Sequence, residues 1–340
     1  MDRHDALLDE WRKQAFSLEE HVGNAVIGQS RVIRLITIAL FSRGHVLRQG
    51  DVGVGKTTLL RAFAHVVGGD FARVEGTIDL MPNDLIYYTY IGADGRPSVD
   101  LGPLLKHGEA LSIFFFNEIN RARPQVHSLL LRVMAERSVS AFNREYQFPH
   151  LTVFADRNRV EREETFEISA AARDRFMMEV VIDPPQNDDH RRQLMFDPRY
   201  HDVDQLIGQL PKGILAHEEL NTVAAAIQQS IQASAALQQY ALDLWRATAY
   251  PAEYGIQLEG IESDRLMLAG ASPRGMSMLL RAARVAAWFQ GRTYVTPEDL
   301  QAVFVETIAH RLCFQPVYEL RRAEITDELM RRTIAAVASP

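Results

Sequence analysis

The order of apolar and polar positions divides the chain into an alternating segment and a helical segment. Between residues 45 and 185, short runs that are apolar at almost every position alternate with stretches of helical periodicity. A strand that is apolar on both faces is typical of a parallel sheet covered by helices on both sides. The pattern predicts an α/β domain with strands at 45–47, 71–74, 112–116, 151–155 and 179–182.

Helical periodicity dominates outside this segment. Residues 1–20 have the spacing of a short amphipathic helix, and a second helix is predicted over 31–41. The polar stretch through Asp188, Asp189 and His190 indicates a linker. Beyond it almost every pattern is helical, and Thr296 followed by Pro297 is a typical helix start.

Two further stretches interrupt the α/β pattern. Residues 79–105 carry tyrosines around a turn, and residues 138–142 and 145–148 alternate about Asn143 and Arg144, which predicts a hairpin. The tyrosines either contact another molecule or pack under a loop. Few lysines or arginines accompany them, which argues against single-strand nucleic-acid binding.

Composition excludes several classes of protein. The 340 residues carry 37 Lys+Arg against 44 Asp+Glu, a net charge of −7, which disfavours a protein that mainly coats nucleic acid. The chain has one cysteine, Cys313, so it can build neither a disulfide framework nor a cysteine zinc site. Cys313 is predicted to be a buried small residue. No apolar run reaches the ~18 residues of a membrane span, and the N-terminus lacks the apolar core of a signal peptide. We therefore expect a cytoplasmic protein with no integral membrane segment.

A phosphate-binding loop is the strongest motif. Residues 50–57 match G-x-x-x-x-G-K-[ST], after a predicted strand and before a helix. The glycines let backbone N–H groups surround a phosphate, Lys56 reaches the outer phosphates, and the Thr57 hydroxyl is offered to Mg²⁺. A glycine turn before a helix is the alternative. The residues assigned to the nucleotide are Gly50, Asp51, Val52, Gly53, Val54, Gly55, Lys56, Thr57 and Thr58.

The apolar strand at 112–116 ends in Asn117 and Glu118. A P-loop ATPase needs one residue here to help hold Mg²⁺ and the next to polarise the attacking water. Glu118 suits the second role, whereas Asn117 stands where an aspartate is expected. Asparagine keeps an oxygen but loses the charge, so we expect weakened Mg²⁺ binding at Thr57 and Asn117 rather than none.

Four segments together resemble the MoxR family of AAA+ ATPases: 50–57, 116–122, 158 through 174–176, and 270–275. They occur in the family's order and spacing, and the resemblance extends from about Val26 to the last helices. It implies a P-loop AAA+ αβα sandwich with a parallel sheet, followed by an all-helical lid domain. The expected parts are an N-terminal helix (1–20), the nucleotide-binding domain (21–187), and a linker with the lid (188–340).

The resemblance also assigns site residues. Ile27, Gly28 and Gln29 would line the adenine pocket, and Asn158 would be the first sensor, orienting water near the γ-phosphate. Arg175 would be the arginine finger that reaches into a neighbouring subunit's site, and Arg274 would be the second sensor. The alternatives are a turn residue for Asn158 and surface arginines for Arg175 and Arg274, and Arg173 competes with Arg175.

The sequence departs from the family at three positions. Val52 and Arg159 stand where proline is usual, although neither change removes a catalytic group. Together with Asn117, they leave turnover less secure than nucleotide binding.

The resemblance implies a function. Ring assembly, commonly as hexamers with ATP and Mg²⁺ between subunits, would drive remodelling of a partner protein or enzyme complex, with a von Willebrand factor A domain protein as co-factor protein. The inserts at 79–105 and 138–148 would then face the axial channel. The alternatives are a nucleotide-gated scaffold with little hydrolysis, which Asn117 motivates, and, less favoured, a DNA motor.

Overall fold

The computed structural model describes residues 3–51, 53–158 and 166–340. Its strands are β1 (Val46–Gly50), β2 (Asp70–Glu75), β3 (Tyr87–Ile91), β4 (Pro97–Leu101), β5 (Leu111–Asn117), β6 (Ser138–Ala141), β7 (Arg144–Gln147), β8 (Thr152–Arg157), β9 (Met178–Ile182), β10 (Met267–Ala269) and β11 (Cys313–Phe314). Its α-helices are α1 (Arg3–Ala25), α2 (Ser30–Phe41), α3 (Lys56–Val67), α4 (Pro124–Glu136), α5 (Ala170–Arg173), α6 (Asp188–Phe196), α7 (Val203–Gly208), α8 (Leu220–Ser230), α9 (Ala235–Ala249), α10 (Pro273–Phe289), α11 (Pro297–Ile308) and α12 (Arg322–Ala336).

The predicted parallel sheet is confirmed. Five strands lie in the order β2-β5-β8-β1-β9, and every neighbouring pair is parallel. All seven residues of β5 are buried. Phe115 packs into one apolar core, while Phe114 and Phe116 pack into the other, because successive side chains of a strand point to opposite faces. The continuous apolar runs in the sequence therefore reflect helices on both faces of the sheet.

The two inserts form antiparallel hairpins. The predicted hairpin is confirmed as β6 and β7. The insert at 79–105 contains a second hairpin, β3 and β4, whose side chains remain largely exposed. Tyr88 and Tyr90 are 47% and 48% exposed, so the alternative that these two tyrosines pack under a loop is wrong.

Helix α1 continues to Ala25, beyond the predicted end at residue 20. Its buried residues recur every three or four positions, as an amphipathic helix requires. Trp11 packs edge-on against Phe41 of α2, and the Trp288 indole of α10 donates a hydrogen bond of 3.1 Å to the Leu8 carbonyl. The N-terminal helix therefore joins the α/β domain to the C-terminal helices.

Two local predictions are wrong. The polar stretch at 188–190 is helical: it opens α6, where the Asn187 side chain caps the helix by accepting from the Asp189 N–H at 2.7 Å. Acidic residues in a first turn are favoured by the helix dipole, so polarity here marks a helix start and not a linker. Cys313 is half-buried in the short ribbon of β10 and β11, the one pair of strands described within the helical part. Over the described ranges, none of the helices combines the length and apolarity needed to cross a membrane.

Buried histidines make the fold sensitive to acid. His45, at the start of β1, accepts from the Val153 N–H at 2.9 Å through Nδ1, which leaves Nε2 to donate to the Met134 carbonyl at 3.1 Å. Burial, assisted by the nearby Arg137 guanidinium, lowers the pKa of His45 to about 3. Burial also holds the pKa of His310 well below its ordinary value.

We predict that stability declines as the pH falls below about 6.5, where an unfolded histidine begins to bind a proton. The stability is fully present above that pH and is lost progressively towards pH 3, by up to about 1.4 kcal/mol per pH unit for each such histidine. Urea unfolding of the His45→Gln variant should show a shallower pH dependence between pH 7 and 5. A slope equal to that of the wild type would contradict this origin of the acid sensitivity.

Candidate functional site

The carboxyl ends of the parallel strands carry most of the predicted site residues. The loop after β1, Asn117 at the end of β5 and Asn158 after β8 lie at this one edge of the sheet. In open parallel sheets, ligands bind in the crevice at this edge. The fold thus gathers residues that are distant in the sequence, such as Lys56 and Asn158, which are 102 positions apart.

Glycines shape the loop between β1 and α3. Gly53 and Gly55 both have φ of +83°, in the left-handed region that favours glycine, and the space above both is open. Gly50 meets a different demand, because a Cβ there would lie 2.5 Å from the Ile182 carbonyl oxygen of β9. The loop therefore ends as an open concavity at the N-terminus of α3, a typical anion-binding arrangement.

Lys56 and Thr57 begin helix α3 at the end of this loop. The Lys56 ammonium donates to the Gly50 carbonyl at 2.6 Å and to the Asn158 side-chain oxygen. Both acceptors are neutral, so these contacts leave the positive charge available to an anion. Partial burial lowers the pKa of Lys56, while the carboxylates of Asp156 and Glu118 oppose that shift. The open loop and the lysine fit the outer phosphates of a nucleotide.

Asn158 connects Lys56 to Glu118. Its amide nitrogen donates to Oε1 of Glu118 at 3.0 Å, while its oxygen accepts from Lys56. Oε2 of Glu118 accepts from Arg121 at 2.9 Å. Glu118 has φ of +52°, which is unusual for a non-glycine residue and occurs preferentially at functional sites. The structure thus brings three predicted residues into one continuous series of contacts.

A buried ion pair beneath these residues was not identified from the sequence. Arg48 on β1 lies opposite Asp156 on β8, with 3.2 Å between Nη2 and Oδ2, and both side chains are buried. Arg48 also donates to the Lys56 carbonyl at 2.5 Å, and Asp156 accepts from the Glu118 N–H at 2.7 Å. Burial lowers the pKa of Arg48 to about 10, with Asp156 opposing the shift. The sequence shows only that one charged residue directly follows each of the two predicted strands at 45–47 and 151–155, and not that the two charges are paired.

Asn117 lies against a second residue that the sequence analysis did not assign. Its side-chain amide donates to Oε1 of Glu75, the residue at the end of β2 that is paired with it in register. Asn117 is buried, whereas the Glu75 side chain is about half exposed.

The three residues that were predicted to contact adenine lie at a cavity. Ile27, Gly28 and Gln29 line a space of about 460 Å³, together with His190 and other residues of the α6 region. Gln29 donates to the Asp183 carbonyl at 2.7 Å, and Asp183 directly follows β9, the strand against which Gly50 packs. The cavity therefore lies on the loop's side of the sheet and has a volume typical of ligand sites.

Arg175 and Arg274 lie at the opposite edge of the sheet. Arg175 precedes β9, whose first residue, Met178, is paired with Val46 at the start of β1. Arg274 forms an ion pair of 2.6 Å with Asp174, the neighbour of Arg175. Five-residue strands separate this edge from the phosphate loop by roughly 15 Å. The structure therefore does not bring either arginine to the loop of its own subunit.

The exposure of Arg173 and Arg175 bears on which of them is the better candidate for the arginine finger. Arg173 is 7% exposed, and burial lowers its pKa, so its guanidinium is packed inside the subunit. Arg175 is partly exposed, and this exposure favours it over Arg173 as a residue that reaches outward. Its guanidinium donates to the Ala171 carbonyl at 3.0 Å. Val52 and Arg159 lie outside the described residues.

Comparison with known proteins identifies the family. Residues 45–178 match the model of the ATPase family associated with various cellular activities (AAA), and residues 262–333 match the AAA lid domain. Protein MoxR of Methylorubrum extorquens is 59% identical over 336 residues, which cover 99% of this chain and 98% of that protein. The chain belongs to the MoxR family of AAA+ ATPases.

Two other comparisons agree with the MoxR-family assignment. Chaperone MoxR1 of Mycobacterium tuberculosis is 33% identical over 94% of this chain and 80% of its own length. A solved structure from Cytophaga hutchinsonii, described as a candidate ATPase, matches with a TM-score of 0.80 at 28% identity and covers 95% of each chain. The predicted fold class, an α/β AAA+ domain followed by a helical lid, is confirmed.

We predict that Asp156→Asn destabilises the protein by about 3–5 kcal/mol, because it leaves the buried Arg48 guanidinium without its counter-charge. Urea unfolding measures the change. The matched control is Asp204→Asn, which removes an exposed ion pair with Arg61 and should cost less than about 1 kcal/mol. Equal losses in the two variants would contradict a central role for the buried pair.

Proposed function

We propose that this protein is an ATP-hydrolysing ring ATPase that remodels a partner protein. The observation that carries the proposal is the position of Asn158, whose single amide contacts both the lysine of the phosphate loop and Glu118. An ATPase needs a cation on the outer phosphates and a base beside the attacking water, held at a fixed separation. Membership of an ATPase family supports the same activity.

The residues take distinct roles in this proposal. Lys56 and the loop N–H groups bind the phosphates of ATP, with residues 27–29 against the adenine, and Thr57 holds Mg²⁺. Bound Mg²⁺ would neutralise charge on the phosphates. Glu118 accepts a proton from the attacking water, which Asn158 orients, and the contact with Arg121 directs the carboxylate. The Asp156 carboxylate fixes the backbone of Glu118.

The proposal requires a ring because, among the described residues, the two arginines assigned to the transferring phosphoryl group lie away from the phosphate loop of their own subunit. A transferring phosphoryl group gains much of its rate from an arginine that neutralises its charge. Arg175 and Arg274 both lie at the sheet edge opposite their own loop. In a closed ring with head-to-tail contacts, that edge can meet the loop edge of the next subunit. We infer that both arginines serve the neighbour's nucleotide, in a ring that we expect to be a hexamer.

The same proposal extends to the partner. A relative that is 33% identical is named a chaperone, which supports a remodelling role for this chain. The β3–β4 hairpin offers Tyr88, Tyr90 and Ile91 to solvent, and we infer that this apolar patch contacts the client in the axial channel. We expect a client enzyme complex, a von Willebrand factor A domain co-factor protein and a cytoplasmic location, and we expect no nucleic-acid partner.

Two substitutions separate nucleotide binding from hydrolysis. Lys56→Ala should abolish ATP binding, because it removes the cation that contacts the outer phosphates. Glu118→Gln should keep binding within a few-fold and lower phosphate release at least 100-fold, since it removes the base and leaves the phosphate cradle. Nucleotide titration and steady-state phosphate release measure the two effects. Unchanged turnover in Glu118→Gln would overturn the role of Glu118 as the base. A wild-type protein that binds ATP without releasing phosphate would overturn hydrolysis and favour a nucleotide-gated scaffold.

Mixing experiments test the shared site. Arg175→Ala subunits should bind ATP and release almost no phosphate, yet regain activity when they are mixed with Lys56→Ala subunits. Such a ring contains interfaces with an intact loop on one side and an intact arginine on the other. The matched control mixes Lys56→Ala with Glu118→Gln, which creates no interface with both an intact loop site and an intact base and should stay inactive.

The mixture also assigns Arg274. If Arg274 serves the neighbouring nucleotide, Arg274→Ala subunits should be rescued by Lys56→Ala subunits in the same way. Failure of both arginine variants to recover activity, with co-assembly shown by light scattering, would contradict a shared site.

A further inference from the structure

The ends of β2 and β5 place a carboxylate and an amide side by side. Glu75 and Asn117 are opposite each other in register, and the Asn117 amide nitrogen donates to Oε1 of Glu75. A carboxylate can only accept, so the Asn117 –NH₂ group must face it, and the Asn117 oxygen is the end left for another partner. The pair lies at the sheet edge that carries the phosphate loop and Glu118.

We propose that Glu75 supplies, from the neighbouring strand, the carboxylate charge that the magnesium site lacks at Asn117. The pair would act as one unit, in which the asparagine offers an oxygen towards Mg²⁺ or its water shell and the glutamate provides the negative charge. This inference rests on the proposed function, because it assumes that Mg²⁺ enters with a nucleotide bound at the loop.

The spacing of the strands allows this transfer of charge. Neighbouring strands lie about 4.8 Å apart, so a charge moved from β5 to β2 shifts by about one strand spacing. Thr57 and phosphate oxygens form the inner ligands of Mg²⁺ in this type of site, and a carboxylate acts around them. Such outer partners affect metal affinity through charge and hydrogen bonding without direct coordination.

Arg73 offers a competing explanation for Glu75. Its guanidinium lies 2.8 Å from Oε2 of Glu75, and both side chains are exposed by 40% or more. Exposed ion pairs of this kind contribute little to stability. If Glu75 served only to bind Arg73, loss of either partner would have the same effect. If Glu75 serves the metal, loss of the Arg73 charge would make the electrostatic potential around the Glu75 carboxylate more negative. It would therefore favour Mg²⁺ binding.

The test measures metal binding directly. The full-length protein is titrated with Mg²⁺ in the presence of a fluorescent non-hydrolysable ATP analogue, and Mn²⁺ binding is followed in parallel by electron paramagnetic resonance. Glu75→Gln should raise the Mg²⁺ concentration at half-saturation about tenfold or more. Its affinity for the analogue in excess chelator should stay the same, because the phosphate loop is untouched.

Two further variants make the result specific. The double variant Glu75→Gln/Asn117→Asp returns the charge to β5 and should restore the Mg²⁺ dependence to within a few-fold of the wild type. Such a rescue is expected if the two positions supply one charge to the metal, and a purely structural defect in Glu75→Gln would persist in the double variant. Arg73→Gln is the matched control on the same strand and should leave the half-saturating Mg²⁺ concentration unchanged or lower it.

The outcomes distinguish this inference from the proposed function. An unchanged Mg²⁺ dependence in Glu75→Gln, with nucleotide still bound, overturns the inference alone. So does a loss that appears equally in Arg73→Gln or that the double variant fails to rescue. A wild-type protein that binds no nucleotide at any Mg²⁺ concentration would overturn the proposed function, and this inference with it.

Discussion

The buried pair of Arg48 and Asp156 is the interaction on which the site depends. These two side chains lie between β1 and β8 in the middle of the sheet, where water cannot solvate them. Each side chain also makes a second contact, to a backbone group. Arg48 contacts Asp156 and the carbonyl of Lys56, and Asp156 contacts Arg48 and the N–H of Glu118. One ion pair therefore holds the beginning of the phosphate-loop helix and the backbone of the proposed catalytic base.

The second contacts of the two side chains account for an ion pair in the core, where an apolar pair would otherwise serve. A buried ion pair is often no more stabilising than a well-packed apolar pair, because both ions lose their hydration. An apolar pair, however, could not donate to the Lys56 carbonyl or accept from the Glu118 N–H. It could not keep Glu118 at a positive φ, which needs compensation from surrounding contacts. The pair thus gives up stability for a fixed distance between the loop and the base.

A second residue, Asp174, joins the segment of the proposed arginine finger to the lid. Asp174 accepts from Arg274 at 2.6 Å, from Ser272 at 2.5 Å and from Arg311 at 3.1 Å, all of which belong to the lid. Arg175 follows Asp174 directly in the chain. Movement of the lid would therefore carry the proposed finger with it. In a ring, this connection would couple the lid of one subunit to the nucleotide of the next, at the sheet edge remote from its own phosphate loop.

The difference between what the sequence predicts and what it misses has a physical cause. Strands β5 and β8 were predictable because burial on both faces leaves a continuous apolar run, and the phosphate loop was predictable because its glycines, lysine and threonine are contiguous. Arg48 with Asp156, and Glu75 with Asn117, depend on which strands become neighbours and in what register. The order β2-β5-β8-β1 is not the order of the chain, so neither pair is visible in local patterns. In the sequence, Asn117 stands where a carboxylate is expected, so a negative charge is missing. In the sheet, Asn117 is paired with Glu75, and the pair still contains one carboxylate.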